Sequence, residues 1–136
     1  MSMEDFNAAV IAEFRSNEGR VAQFGDATVV LLHTVGGRSG REYTTPVVTQ
    51  PDGDRFVIFA SKAGAPENPA WYHNLLAHPD VTIEVGTRTL EVTASVADGA
   101  ERDRYYERQV EAMPQFGEYA AKTARTIPVV VLTPRG

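Results

Sequence analysis

Cysteine is absent from the 136 residues, which removes disulfides, thiolate zinc sites and cysteine nucleophiles together. Lysine is scarce, at two residues, Lys62 and Lys122. Lysine and arginine together number 13 against 18 acidic residues, for a formal net charge of -5. A general nucleic-acid binder needs a basic face, so this balance argues against nucleic acid as a partner while leaving room for a local basic pocket. No apolar run approaches the roughly 20 residues of a membrane span. The amino-terminal stretch lacks the basic and apolar sections of a signal peptide. Internal repeats, low-complexity tracts and an interdomain linker are missing as well. The expectation is a single domain over residues 1–136 in the cytoplasm. Contact with the cytoplasmic side of a membrane is left open, and so is the choice between monomer and homodimer.

Several kinds of chemistry lack their motif. The histidines are His33, His73 and His78. The last two are five apart and do not share a helix face as ligands at i and i+4 do, so no metal site is expected. Gly37-Arg38-Ser39-Gly40 is not a G-x-S-x-G elbow. It is not closed by G-K-[ST] as a Walker loop is, nor is it a G-x-G-x-x-G fingerprint.

What is present is a globular composition, 43% hydrophobic and 23% charged, punctuated by glycine and proline. Phe6, Val10 and Phe14 recur at helical spacing and predict an amphipathic helix over about 4–18. β-Branched and apolar runs predict strands over 28–34, 43–49 and 55–60. The last is nearly continuous in apolar character, which implies burial on both faces. Pro51-Asp52-Gly53-Asp54 reads as a turn. Asn68-Pro69 reads as the start of a helix, with asparagine as N-cap and proline at the first helical position. That helix ends near His78-Pro79. Residues 81–85 and 89–94 alternate as strands across a Gly86-Thr87 turn. A charged helix over 99–113, a short helix over 116–122 and a last strand over 127–133 complete the chain. About six mainly antiparallel strands joined mostly by tight turns, with flanking helices, imply an α+β barrel or curled sheet.

One loop dominates the polar chemistry: Thr34-Val35-Gly36-Gly37-Arg38-Ser39-Gly40-Arg41. Glycines at 36, 37 and 40 permit positive φ, and successive amide N–H groups in such a turn can hold an anion. Ser39 adds a hydroxyl, while Arg38 and Arg41 add charge and fork-shaped donors. A polar hairpin loop with no ligand is the plain alternative. Arg55 and Lys62 lie on or beside the same strands. Ser61-Lys62 ends a buried strand, where scaffolds present functional groups. Trp71 and Tyr72 open the next helix, and Trp71 alone is as well explained by the core. Taken together they suit a phosphorylated, planar, acidic ligand.

At this point the chain resembles the deazaflavin (F420)-dependent nitroreductase family of actinobacteria. The resemblance runs over Gly36–Pro46 and Ala60–Leu75. It also covers Val10–Arg15 and Arg125–Val130, and its most specific stretch is Ser61–Leu75. It implies a split β-barrel (FMN-binding-like), with coenzyme F420, a deazaflavin with a phosphate and an oligoglutamate tail. It places phosphate and tail against Gly37, Arg38, Ser39 and Arg41. The ring would lie near Tyr43, Thr44, Thr45, Pro46, Val47 and Val48. Phe59, Ala60, Ser61 and Lys62 would line the same groove, and Ala70, Trp71, Tyr72, His73 and Asn74 would complete it. Phe116 and Tyr119 would come near the substrate side, with Tyr119 or Ser61 as the proton donor. The chain departs from the family at Gly37 and Tyr43, where basic residues are common, which implies either weaker tail binding or more reliance on Arg41, Arg55 and Lys62.

The activity so implied is hydride transfer from reduced F420 to a small organic acceptor such as a quinone, an enone or a nitro compound, with the hydride chemistry belonging to the cofactor. The alternatives are the same barrel using FMN, and a binding module that holds a cofactor or lipid without turnover.

Overall fold

The computed structural model describes residues 3–135. Helix α1 (Met3–Ser16) leads through a short 3-10 turn (Ala22–Phe24) to strands β1 (Thr28–Val35), β2 (Glu42–Asp52) and β3 (Arg55–Phe59). A second 3-10 turn (Lys62–Gly64) precedes α2 (Ala70–Ala77). Strands β4 (Asp80–Val85) and β5 (Arg88–Ala97), helices α3 (Gly99–Ala112) and α4 (Gln115–Lys122), and strand β6 (Val129–Pro134) follow. The strands close into a barrel in the order β1-β2-β3-β6-β5-β4, and every pairing is antiparallel. This is the expected α+β split barrel.

Alternation explains both layers of the core. On β1, Val30 and Leu32 point into the barrel while Val29 and Leu31 meet Val10 and Phe14 of α1. On β3, Phe56 and Ile58 point in, and Val57 and Phe59 meet Tyr105 and Tyr106 of α3 and Phe116 of α4. Strand β6 repeats this, with Val130 and Leu132 inside and Val129 and Val131 outside. The continuous apolar runs are thus strands covered on both faces. Trp71 and Leu75, one turn apart on α2, join the interior cluster, so α2 packs onto the barrel interior.

Three expectations are corrected. Asn68 is not an N-cap: α2 begins at Ala70, Pro69 occupies the cap position in extended conformation, and no side chain caps the helix. Pro69 is itself extended, at φ -66° and ψ 152°, so the helix starts one residue later than Asn68 could cap, and the Asn68 Oδ1 accepts instead from Arg125 at 2.7 Å. Pro51 and Asp52 belong to β2, and the turn is the pair Gly53-Asp54, with Gly53 at φ +62°. Of the loop glycines 36, 37 and 40, Gly40 alone takes positive φ, at +69°.

Strand β2 changes partners along its length. Residues 42–48 pair with β1 alone, and pairing with β3 starts at Thr49. Pro46 sits in that one-sided stretch, an edge position where a missing donor is tolerated. The barrel is therefore split along the first half of β2.

Candidate active site

Beside that split lies a groove of about 740 Å³ between the β1–β2 loop and α2. The strands contribute Thr34, Tyr43 and Thr45, the loop Gly36, Gly37, Arg38 and Ser39, and α2 Ala70, Trp71, His73, Asn74 and Ala77. The loop is closed by Gly36 N–H donating to the Arg41 carbonyl at 2.8 Å and Gly40 N–H donating to the Gly36 carbonyl at 3.0 Å. Ser39 Oγ accepts from the Arg41 amide at 3.1 Å, which leaves its own proton to give. The amides of Gly37, Arg38 and Ser39 take no acceptor among the described residues. Arg38 is exposed, and neither it nor Arg41 has a carboxylate partner among the described residues. Arg41 lies 5.9 Å from the Tyr43 ring centroid.

The floor is built for close approach. A Cβ on Gly36 would stand 2.7 Å from Ser39 Oγ, and one on Gly37 would stand 3.3 Å from the Ala77 Cβ. Glycine at 36 therefore serves loop closure through space rather than through φ. Across the floor, Asn74 Nδ2 donates to Thr34 Oγ1 at 3.2 Å, so α2 and β1 share one polar contact at the base of the groove.

The model of the family described as F420H(2)-dependent quinone reductase matches residues 7–134. The chain belongs to that family. It is an oxidoreductase, and coenzyme F420 is its hydride donor. An F420H(2)-dependent quinone reductase of Mycobacterium tuberculosis is 39% identical over 131 residues, 91% of this chain and 87% of that protein. Among solved structures, an F420-H2 dependent reductase (FDR-A) is 36% identical, covering 76% of this chain and 92% of its own, with a TM-score of 0.70. A protein described as a domain-swapped dimer is 32% identical over 96% of this chain and 99% of its own, with a TM-score of 0.72.

The residues present fit a quinone reductase's F420. Among the described residues, three uncommitted amides, a serine proton and the Arg38 guanidinium form a donor set suited to phosphate and carboxylates, over a cradle that a Cβ would fill, while Arg41, beside the Tyr43 ring, is not among the residues lining the groove. Of the residues singled out in the sequence, the groove gathers Gly37, Arg38, Ser39, Tyr43, Thr45, Ala70, Trp71, His73 and Asn74. Thr34 and Gly36 stand in the polar loop read from the sequence without being assigned to the cofactor, and Ala77 is not singled out there. Thr34 carried a signal, as a hydroxyl at the end of an apolar run, and it is 2% exposed. Ala77 carried a weaker one, as a small residue one turn beyond His73.

The other singled-out residues stand elsewhere. Thr44 Oγ1 lies 3.2 Å from His33 Nδ1, and His33 Nε2 lies 2.7 Å from Glu84. The Glu84 carboxyl is held below its usual range by the Arg15 hydrogen bond first and then by His33. Val47 packs against the barrel interior and Val48 against the α1 cluster. Pro46 is half-buried on the one-sided stretch of β2, and Tyr72 packs against the interior cluster. Ala60 is fully buried inside the barrel. Ser61, 8% exposed, begins the turn that follows. Lys62 Nζ reaches Glu67 at 2.8 Å. Phe59, Phe116 and Tyr119 belong to the cluster under α3 and α4, with Phe116 5.8 Å from Phe59 and 5.2 Å from Tyr119 between ring centroids.

Arg55 is remote from the groove for a simple reason: it starts β3, and Ser61 follows that strand's other end. Its guanidinium meets Asp52 at 3.0 Å and Tyr105 Oη at 2.7 Å. The Tyr105 hydroxyl donates to Asp52 at 2.6 Å. That bond first, and the Arg55 bond second, depress the Asp52 carboxyl, while the same Asp52 bond raises the Tyr105 phenol. Among the described residues no group of His, Asp and Glu is placed to hold a metal ion.

Proposed function

We propose that the groove between the 36–41 loop and α2 holds the phosphate and carboxylate tail of F420, with the ring running along β2 toward Ser61. The observation that carries this reading is the set of unpaired donors at Gly37, Arg38 and Ser39, opening on a cavity walled by Trp71. Bound F420 supplies a hydride in its reduced form. The chain's own work is to bind, orient and exclude water. A quinone that receives one hydride and one proton leaves as the hydroquinone.

The proton falls to a hydroxyl. Neither Tyr119 Oη nor Ser61 Oγ has a hydrogen-bond partner among the described residues. The two are tied together by the fold, because Gly64, three residues after Ser61, packs on the Tyr119 backbone: a Cβ there would stand 2.9 Å from the Tyr119 carbonyl oxygen. The acceptor side of the site is therefore the meeting of the 61–65 turn with α4. Among the described residues no helix is long and apolar enough to cross a membrane.

Fluorescence titration with F420, with F420 stripped of its glutamates and with FMN tests the reading, followed by oxidation of reduced F420 by a quinone, enone and nitroarene panel. The expected order is intact F420 tightest, stripped F420 weaker and FMN weakest, with quinones the fastest acceptors. Equal affinity for intact and stripped F420 would remove the tail from the loop. Tighter binding of FMN would overturn the assignment.

A further inference from the structure

Between the end of β3 and the start of α2 the chain runs through Lys62, Ala63 and Gly64 at φ +46°, +54° and +83°. Two of these carry side chains, and left-handed backbone is strained for such residues and persists only where the surroundings hold it. Inside the turn, two hydrogen bonds do so, from Gly64 N–H to the Ser61 carbonyl at 2.8 Å and from Ala65 N–H to the Lys62 carbonyl at 3.0 Å. The Lys62–Glu67 ion pair at 2.8 Å and the packing of Gly64 on Tyr119 and Lys122 of α4 add restraint, and one further side chain, far along the sequence, gathers the segment's carbonyls. Arg125, half-buried in the segment between α4 and β6, donates from Nε to the Ala65 carbonyl at 3.0 Å. One terminal nitrogen donates to the Ala60 carbonyl at 3.1 Å and to Asn68 Oδ1 at 2.7 Å, and the other to the Ser61 carbonyl at 2.9 Å.

The segment from Ala60 to Asn68 is thus wound around a single guanidinium, which commits four of its five N–H groups to it. Among the described residues no acidic side chain accepts a hydrogen bond from Arg125, although its charge reaches the Glu67 carboxyl. Arg125 is spent on orienting backbone, a use that needs the planar fork and that lysine cannot reproduce. What it orients is Ser61 and Lys62 at one end and, through Asn68 and Pro69, the first turn of α2 with Ala70 and Trp71 at the other.

We infer that Arg125 is a positioning residue for the cofactor site, acting through the left-handed turn and the entry to α2 rather than by touching F420. This rests on the proposed function for where the site lies. Its test therefore has one arm that needs no cofactor. Arg125→Lys and Arg125→Gln are compared with the parent by amide hydrogen exchange, by F420 fluorescence titration and by steady-state kinetics with a quinone. Asn68→Ala, which removes one of the four acceptors, is the milder variant if the arginine variants fold poorly.

Without cofactor, exchange at Gly64 and Ala65 is expected to accelerate about tenfold or more in Arg125→Gln while the barrel strands keep their protection. The dissociation constant for F420 should rise roughly tenfold in Arg125→Gln and a few-fold in Asn68→Ala. KM for reduced F420 should rise more than kcat falls, and Arg125→Lys should recover little of either. Unchanged exchange at Gly64 and Ala65 would overturn the inference. Faster exchange with F420 affinity within twofold of the parent would overturn it equally, leaving Arg125 a brace of the fold alone. Failure of the parent to bind F420 would sink the site reading instead, and the exchange arm would still decide whether Arg125 sets the turn.

Discussion

Two side chains decide most at the scale of single residues. Arg38 stands at the mouth of the groove with no carboxylate partner among the described residues. Replacing it with alanine should weaken F420 binding by about 1.5–3 kcal/mol, the value of a charge-assisted hydrogen bond. Parent affinity should also fall with added salt, because the site is open to screening. Titration of both proteins at two salt concentrations checks this, and equal affinity in parent and variant removes the loop from the site. Tyr119 is half-buried, its hydroxyl has no hydrogen-bond partner among the described residues, and its ring lies on Phe116. Tyr119→Phe keeps the ring and deletes the proton. As a general acid the hydroxyl is worth roughly 10²–10⁴ in rate, so turnover should collapse while F420 affinity holds. A fall under about threefold, too small for general acid catalysis, would pass the proton to Ser61 or to solvent.

Among the elements, α3 shows how a helix is bound to the barrel. Its Tyr105 meets Asp52 and Arg55 across the β2–β3 turn, and its Gln109 meets Gln50 at 3.2 Å. The Asp52 carboxyl is depressed by Tyr105 and Arg55. A depressed carboxyl contributes stability that is present above its unfolded value, about 3.9, and is lost as pH falls through the folded value. The raised Tyr105 phenol works in the opposite sense, contributing below about pH 10 and losing that contribution as pH rises through its folded value. Asp52→Asn should therefore flatten the acid limb of a melting-temperature profile and leave the neutral plateau slightly lower. An acid limb as steep as the parent's would show that this contact does not hold α3. These elements were legible in the sequence to different degrees. Alternation on β4 and β5 and the doubly apolar β3 read directly, because burial writes its own period into a strand. The start of α2 was misread because Asn-Pro is a capping signal only when the asparagine side chain is free, and here Arg125 holds it. Arg55 joined the expected basic cluster because sequence proximity to Lys62 hides which end of a strand each residue occupies.

At the scale of the molecule, the loop and α2 come together because the barrel closes, and closure depends on β6. That strand pairs with β3 on one side and β5 on the other. A chain lacking residues 127–136 should show no cooperative melt by circular dichroism, since the edges of β3 and β5 would both stand open. A sharp transition within a few degrees of the parent would refute this role. Closure order was invisible in the sequence, because alternation tells which face of a strand is buried and never which strand lies beside it. The groove was legible mainly through resemblance, and its floor at Thr34 and Ala77 emerged only once β1 and α2 were seen side by side. The same ladder has a kinetic meaning. Phe56 pairs opposite Leu132, and Val30 opposite Val85, so the contacts that complete the barrel join distant parts of the chain. Loop-closure entropy must be met before those pairings stabilise anything. Refolding should accordingly run in milliseconds to seconds, as for other sheets dominated by non-local pairing. For that interval the waiting slot between β3 and β5 is open to the β6 of a neighbouring chain, so raising protein concentration during refolding is expected to increase strand exchange between copies.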